Sequence, residues 1–304
     1  MGRIAIALTW TALALIWGST WMAIKVGLHD LPPLTFAGIR FAVALPPLLL
    51  LMAAKRWPWP RRAEEWRLLT LTGLLTVTGG YGLVYWGEKF IPSGLAAILF
   101  SIYPLAGLLF ANALLPSEPM TRRKLTGVFL GLAGVAVLFM DRLAFGGPMA
   151  LWGSLALVAS TLCGSLSGVL IKREGGHLDP VAVSVVQMAV GGLPLLVFGM
   201  LLEGNPLKAA WTPKAVGALL YLSLAGTSLA FVLWYRLIRA VEVTRAQMMP
   251  LLNTLVAVLL GKLLMGETYG VRGLIGGAAI FLGLALSLGG SRGSAALAPG
   301  RPGR

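Results

Sequence analysis

Charged residues are scarce in this chain of 304 residues: they make up 12% of the sequence, whereas hydrophobic residues make up 57%. Soluble globular proteins carry about 25% charged residues. About half of that fraction cannot cover the surface of a water-soluble particle of this size. The composition therefore argues against a soluble enzyme, a nucleic-acid-binding domain and a disordered chain. A mean hydropathy of +0.83 favours a membrane protein.

Residues that bind metals are equally rare. Cys163 is the only cysteine, which excludes an intramolecular disulfide and a cysteine metal cluster. The two histidines, His29 and His177, lie far apart in the sequence, so they form no pair at the spacing of a zinc site. The sequence therefore predicts no metal and no cofactor.

Acidic residues number only 11, against 25 lysines and arginines. All of them fall in predicted loops or at helix ends, so the sequence lacks a carboxylate inside a span that could carry a proton. A facilitator, or coupling by another route, fits this pattern better. The net charge of +14 does not indicate nucleic acid as a partner, because basic cytoplasmic loops of a membrane protein explain it more simply.

Long apolar runs are abundant. A helix needs about 20 mostly apolar residues to cross the hydrocarbon core, and the first run is too long for the apolar part of a cleaved signal peptide. The predicted fold is an all-α integral membrane protein with ten transmembrane helices. The predicted spans are Ile4–Ile24, Leu34–Ala54, Leu68–Gly87, Gly94–Leu115, Lys124–Met140, Met149–Ile171, Val181–Leu202, Ala215–Leu237, Thr244–Met265 and Val271–Gly289.

The basic residues support this arrangement of spans. If the N-terminus lies in the cytoplasm, most lysines and arginines fall in connections on the cytoplasmic side, as the positive-inside rule requires. An odd number of spans would spoil the alternation. We therefore expect a multi-pass protein of the cell membrane, the inner membrane of a bacterium, with both termini in the cytoplasm.

The sequence also repeats itself after roughly 148 residues. Pro33 and Arg40 are matched in spacing by Pro180 and Gln187, and Glu118 is matched by Glu267. Each repeat contains five predicted spans, and an odd number forces the two halves into opposite orientations. The predicted organisation is a first five-helix repeat over residues 1–143, a second one over 144–290, and a disordered basic tail over 291–304.

The stretch Ile16–Trp21 with Lys25, the pair of Pro33 and Arg40, and the Leu-Leu-x-x-Glu endings at Glu118 and Glu267 resemble EamA-type members of the drug/metabolite transporter superfamily. The resemblance covers nearly the whole chain. It implies a ten-helix carrier that exports amino acids, related metabolites or drugs. It also implies a central cavity between helices one, three, four, six, eight and nine.

Arg40 is the one clear charge inside a predicted span, so it must face the protein interior, a cavity or the interface. It can recognise a substrate carboxylate with a bidentate fork, or it can snorkel or stabilise a helix end. Lys25 and Glu88 are candidates for the mouth of the cavity, and for Lys25 snorkelling is the alternative.

Aromatic and polar side chains recur on single faces of several predicted helices, which favours a cavity for amphipathic organic substrates. Ordinary packing and interhelical hydrogen bonds are the alternative. With Arg40, the substrate-binding candidates are Trp17, Ser19, Trp21, Tyr81, Tyr85, Ser101, Ser228, Trp234, Gln247 and Asn253.

Proline and glycine indicate where helices bend and pack. Pro104 and Pro250 lie inside predicted spans, where each should kink its helix and serve in gating. Glycine-rich faces on the fifth and tenth spans favour close helix packing, within the monomer or in a homodimer.

The leading hypothesis is a secondary-type transporter that exports small organic metabolites, such as amino acids or related compounds, by alternating access. Its expected partners are a small-molecule substrate and the lipid bilayer. A lipid-modifying integral-membrane enzyme and a non-transporting membrane subunit are the alternatives. The sequence contains no Ser/His/Asp set and no metal ligand cluster that would support the enzyme.

Overall fold

The computed structural model describes residues 1–91, 96, 99–139, 149–256 and 271–288, and within these ranges the chain is helical, with no strand. Glu267 and the predicted tail 291–304 lie outside the described residues. The described helices are α1 (Arg3–Leu28), α2 (Pro33–Lys55), α3 (Ala63–Glu88), α4 (Tyr103–Leu114), α5 (Arg122–Phe139), α6 (Ala150–Glu174), α7 (Pro180–Glu203), α8 (Pro213–Ala240), α9 (249–256) and α10 (Val271–Leu288). A short helix, Val243–Ala246, precedes α9.

Six of the described helices are long and apolar enough to cross a membrane, namely α1, α2, α3, α6, α7 and α8. Helix α4 and residues Ile275–Ser287 of α10 form shorter apolar helices. The predicted fourth and ninth spans, Gly94–Leu115 and Thr244–Met265, run partly outside the described residues. The all-helical prediction is confirmed for the described part of the chain, and the count of ten spans stays a prediction.

Several helix starts follow from proline and capping residues. Helices α2, α7 and α8 each begin with proline, whose fixed φ suits the first helical position and whose missing N–H costs nothing there. Asp179 caps α7 by accepting from the amide of Val181 at 2.8 Å, and Thr212 caps α8 by accepting from the amide of Ala215 at 3.2 Å. Such caps satisfy backbone groups that no helical bond reaches.

The two prolines predicted to kink helices lie at helix starts. Pro104 occupies the first turn of α4, and Pro250 the first turn of α9, after a turn that separates it from the short helix Val243–Ala246. The helix is interrupted before each proline. In the first turn of the new helix, the proline removes no helical hydrogen bond. A gating role for these breaks stays a prediction.

Two long helices contain a π-helical stretch that the sequence analysis did not predict. Leu74–Tyr81 forms one inside α3, and Leu224–Leu229 forms the other inside α8. A π-helical stretch disturbs the regular hydrogen-bond ladder of an α-helix and is frequent at functional sites. These stretches therefore direct attention to the region between α3 and α8.

Helix packing follows the same scheme in both halves of the chain. Helix α2 packs along α7, α5 along α10, α1 against α8, and α3 against α6. Exchanging the first five helices for the last five converts α1–α8 contacts into α6–α3 contacts. It leaves the α2–α7 and α5–α10 pairs unchanged. These four pairings of described helices are therefore symmetric between the halves.

Small residues create the closest of these contacts. A Cβ atom added to Gly134 on α5 would lie 2.7 Å from the backbone oxygen of Gly276 on α10. One added to Gly283 on α10 would lie 2.5 Å from the oxygen of Gly127. The predicted glycine faces of α5 and α10 thus pack against each other within one chain. Close approach of this kind is typical of helices in membranes.

Candidate functional site

A cavity of about 120 Å³ lies among α1, α3, α4, α6, α8 and α9, which are the helices that the family resemblance implies. Arg40 of α2 also reaches its wall. Seven of the predicted site residues line it, and the others do not. The predicted residues on the wall are Trp17, Trp21, Arg40, Tyr81, Trp234, Pro250 and Asn253.

The remaining described residues of the wall were not predicted from the sequence. Phe231 precedes the predicted Trp234 by three residues in α8, a spacing that places both on one helix face and could have identified Phe231. The small residues gave no comparable signal. The additional wall residues are Thr20, Ile24, Thr76, Gly80, Val84, Phe100, Tyr103, Ser160, Gly164, Phe231 and Met249.

Arg40 is almost completely buried, with 1% of its surface exposed. Its Nε donates to Oγ1 of Thr227 at 2.6 Å, and its Nη1 donates to the hydroxyl of Tyr85 at 3.0 Å. Its Nη2 donates to the carbonyl of Gly226 at 3.1 Å. Two of these three partners belong to the π-helical stretch of α8. Arg40 therefore joins α2 to α3 and α8, and Tyr85 supports it from outside the cavity wall.

The guanidinium of Arg40 also stacks on an aromatic ring. Its central carbon lies 5.0 Å from the ring centre of Tyr81, which is within the range of a cation–π contact. In the described part of the chain, no carboxylate forms an ion pair with Arg40. A buried cation without a counter-ion favours the entry of an anion.

Aromatic rings form much of the cavity wall. Trp17 lies 5.4 Å from Trp234, and Trp21 lies 5.4 Å from Phe100, measured between ring centres. Nε1 of Trp17 donates to the carbonyl of Gly226 at 3.2 Å, so this indole is held in place. Rings at these separations attract each other and bury large apolar areas. The wall can therefore hold an apolar or aromatic body.

Asn253 supplies an unused acceptor. Its side chain is 6% exposed and lines the cavity, and its Oδ1 has no hydrogen-bond partner among the described residues. A buried acceptor without a partner costs about 1–3 kcal/mol. A substrate that donates a hydrogen bond to Oδ1 would recover this energy.

Gln247 lies outside the cavity wall and is completely buried. Its Nε2 donates to the carbonyl of Ser165 at 2.9 Å, and its Oε1 accepts from the hydroxyl of Ser165 at 3.1 Å. It lies against Gly107 and Gly168, where an added Cβ would collide with its amide. Both ends of the amide are therefore used between helices, and a substrate contact at Gln247 stays a prediction.

Three predicted serines also lie away from the wall. Ser228 donates to the carbonyl of Ala44 at 2.8 Å, and Ser19 forms a 2.5 Å hydrogen bond with the hydroxyl of Tyr221. Ser101 is buried in the turn before α4. The first two hydroxyls connect helices, which is the alternative role that interhelical hydrogen bonding predicts.

The two halves contain matching polar networks. Gln187 occupies the position in α7 that Arg40 occupies in α2, counted from the first proline of each helix. Gln187 accepts from the hydroxyl of Tyr235, and Tyr235 holds the place of Tyr85 relative to the π-helical stretch. Nε2 of Gln187 also donates to Oγ1 of Thr72 at 2.6 Å. The network around Arg40 is charged and touches the cavity, whereas the network around Gln187 is neutral.

A second pair of contacts matches in the same way. Thr78, the fifth residue of its π-helical stretch, donates to the carbonyl of Gly191 at 2.7 Å. Ser228, the fifth residue of the other stretch, makes the equivalent contact with Ala44. Each π-helical stretch is therefore bonded to the long helix of the opposite half.

The two ends of the cavity region differ. Lys25 is exposed near the end of α1 and is close enough to Glu88, at the end of α3, for their charges to interact. At the opposite end, Nζ of Lys172 donates at 2.7 Å to the carbonyls of Ile238 and Val241. These bonds fasten the end of α6 to the end of α8.

Glu118 strengthens that fastened end. Its side chain is buried and accepts from the amides of Val243 at 2.9 Å and Thr244 at 3.2 Å. A carboxylate at the N-terminus of a helix is stabilised by the free amides and the helix dipole. Glu242 adds an ion pair to Lys124 at 3.3 Å. In the described ranges, no group of three His, Cys, Asp or Glu residues is arranged to hold a metal.

The model of the EamA-like transporter family matches this chain twice, over residues 4–140 and 151–289. The chain belongs to the EamA-like transporter family. This confirms the resemblance that the order of the motifs predicted. The division into two five-helix repeats and a tail stays a prediction.

Three relatives show what this member of the EamA-like transporter family is similar to. An uncharacterized transporter, YoaV, of Bacillus subtilis (strain 168) is 29% identical over 273 residues, 90% of this chain and 93% of its own. The uncharacterized inner membrane transporter YedA of Escherichia coli (strain K12) is 34% identical over 265 residues, 84% and 82% of the two chains. A probable amino-acid metabolite efflux pump of Salmonella typhimurium is 28% identical over 288 residues, 92% and 93%.

A solved crystal structure shares the fold. It superposes on this EamA-like transporter with a TM-score of 0.80 at 20% identity, over 94% of this chain and 99% of the other. The similarity establishes a common arrangement of helices. The apolar helices and the match to the family model show a membrane protein of a transporter family.

Proposed function

We propose that this protein is a secondary-type transporter that exports small organic metabolites, such as amino acids or related compounds, by alternating access. The observation that carries the proposal is the cavity itself, which combines one buried cation, Arg40, with aromatic walls and an unused acceptor on Asn253. Such a site binds a small amphipathic molecule. The direction of transport is taken from the Salmonella relative, which is named as an efflux pump.

The proposed architecture comprises ten spans in two inverted repeats, residues 1–143 and 144–290, followed by a basic tail over 291–304. Two successive matches to the family model support it, as does the symmetric packing of the halves. Both termini are proposed to lie in the cytoplasm of a bacterial cell, on the basis of the positive-inside rule.

In this topology the described conformation faces outward. Helices α1 and α3 end outside, near Lys25 and Glu88, whereas α6 and α8 end inside. The bonds of Lys172 and Glu118 close the inner end. Opening inward would require these bonds to break while the outer ends approach, which is the motion expected of inverted repeats.

The first test is untargeted mass spectrometry of medium and cytosol from bacteria that express the chain. An empty vector and a membrane-inserted Arg40→Ala variant serve as controls. A metabolite that accumulates in the medium only with the intact chain supports export and a role for Arg40. Equal accumulation with Arg40→Ala would keep export but make Arg40 structural. No difference in any metabolite would contradict export.

A further inference from the structure

The described wall of the cavity carries a single formal charge, that of Arg40. Its bonds to Thr227, Tyr85 and Gly226 use three of its five N–H groups. One N–H on each terminal nitrogen has no acceptor among the described residues. This pair matches the two oxygens of a carboxylate, and a charge-assisted bond of this type is strong in a buried site.

The described wall offers no negative charge that could pair with a cationic group of the substrate. Of the described residues that line the cavity, none is Asp or Glu. The ring of Tyr81 already lies against the Arg40 guanidinium, and the other rings of the described wall would give an ammonium only a cation–π contact, not an ion pair with a carboxylate. Two like charges in one small cavity repel each other. An ammonium group on the substrate would therefore be poorly balanced.

Asn253 favours a substrate with a neutral hydrogen-bond donor, in addition to a carboxylate and no ammonium. Its buried Oδ1 lacks a partner among the described residues, and a neutral O–H or N–H satisfies such an acceptor without bringing charge. The cavity volume of about 120 Å³ is similar to that of an engineered apolar cavity of about 150 Å³ that binds benzene. One ring, or an apolar group of that size, therefore fits between the aromatic walls.

We propose that the substrate is an organic monoanion and not a zwitterion. Its carboxylate binds Arg40, its apolar or aromatic body lies against Trp17 and Trp21, and a neutral donor binds Oδ1 of Asn253. This assignment rests on the proposed transport function and narrows its substrate class from amino acids and related compounds to those related compounds that lack an ammonium group. Hydroxy acids and N-acylated amino acids have the required groups, whereas free amino acids carry an additional positive charge.

Four probes with the same ring separate these requirements at pH 7. Phenyllactate has the carboxylate and a neutral donor, 3-phenylpropionate lacks the donor, phenylalanine replaces the donor with an ammonium, and phenethylamine lacks the carboxylate. Binding to the full chain in lipid nanodiscs is measured by titration calorimetry. We expect phenyllactate to bind most tightly, with 3-phenylpropionate and phenylalanine each about tenfold weaker and no detectable binding of phenethylamine.

An Asn253→Asp variant provides the decisive comparison. The new carboxylate should pair with the ammonium of phenylalanine and repel phenyllactate, so the order of these two probes should reverse. Asn112→Asp is the matched control, because Asn112 is exposed and its Oδ1 accepts from the amide of Met120 at 3.0 Å, away from the cavity. This control should keep the order of the unmodified chain.

Three results would overturn the assignment: phenylalanine binding as tightly as phenyllactate, an unchanged order in Asn253→Asp, or no binding of either acid. Efflux of phenyllactate from proteoliposomes separates the two proposals. If phenyllactate binds as expected but is not carried, the transport proposal fails and the ligand class stands. If cells export a zwitterion while neither acid binds, transport stands and the ligand class fails.

Discussion

Nη1 of Arg40 on α2 donates a hydrogen bond to the hydroxyl of Tyr85 on α3, with 3.0 Å between the two atoms. The bond joins the one charged residue of the described cavity wall to a side chain that does not itself line the cavity. It explains why a buried guanidinium keeps a fixed orientation, and it makes Tyr85 a positioning residue for Arg40.

Replacing Tyr85 with Phe should remove this bond with little change of volume. We expect a loss of about 1–3 kcal/mol in stability, since one N–H of a buried charged group loses its partner. Thermal unfolding of the purified protein in detergent measures the effect. Tyr221→Phe is the control, because Tyr221 bonds to Ser19 on a partly exposed surface and its loss should cost less. Equal losses in both variants would contradict a special role for Tyr85.

Glu118→Gln tests the fastened end of the cavity region, which is the inner end in the proposed topology. The neutral amide keeps the shape but weakens the bonds to the amides of Val243 and Thr244, because charge-assisted bonds are about twice as strong as neutral ones. We expect the population with an open inner end to rise. Labelling of a cysteine introduced at Ser165, in a chain whose Cys163 is replaced by Ala, measures this population from the side that the proposed topology places in the cytoplasm.

Glu64→Gln is the matched control for that experiment, since Glu64 is exposed at the start of α3. It should label at the rate of the parent chain. If Glu118→Gln also labels at that rate, the bonds of Glu118 do not hold the inner end closed.

Gly134→Val should destabilise the contact between α5 and α10. A Cβ at residue 134 would lie 2.7 Å from the backbone of both Gly276 and Ile280, and backbone atoms cannot move aside as a flexible side chain can. We expect a loss of at least about 1–3 kcal/mol, seen as a lower midpoint of thermal unfolding. Gly217→Val, where an added Cβ meets nothing within 4 Å, should change the midpoint little. Similar midpoints for the two variants would argue against this packing.

The connection between α1 and α2 should make stability sensitive to acid. Thr212 donates to Oδ2 of Asp30 at 2.5 Å. This bond, followed by the contact with His29, lowers the pKa of Asp30. A lowered pKa in the folded state stabilises the protein above the ordinary value of about 4, and this contribution is lost as the pH falls through the folded value. Unfolding midpoints between pH 6 and pH 3 should therefore fall more for the parent chain than for Asp30→Asn. Parallel curves would contradict the prediction.

The helical fold and the wall residues Trp17, Trp21, Arg40 and Tyr81 could be predicted from the sequence, because apolar run length and helical spacing are local properties. The interhelical hydrogen bonds of Gln247 and Ser228 could not be predicted in this way. Each is a polar residue in an apolar segment, and whether such a residue faces a cavity or a neighbouring helix depends on the packing of distant segments. The glycines opposite Gln247 are what allow its amide to pack between helices.

The π-helical stretches were also beyond prediction. Leu74–Tyr81 and Leu224–Leu229 have the apolar composition of their surrounding helices, and the hydrophobic pattern does not distinguish a π-helical turn from an α-helical one. Each stretch is hydrogen-bonded to the opposite half, through Thr78 and Gly191 or through Ser228 and Ala44, and contacts between distant segments are not visible in a local pattern.

The central claim is that the substrate passes through the cavity between α1, α3, α4, α6, α8 and α9, and blocking it is the most direct test. Gly164 lines the cavity, and an added Cβ would lie 3.0 Å from the ring of Tyr103, so Gly164→Leu should fill the space. Export of the identified metabolite is compared with that of Gly217→Leu at equal amounts of inserted protein. We expect Gly164→Leu to abolish export and Gly217→Leu to retain it. Export at the parental rate by inserted Gly164→Leu would contradict the claim.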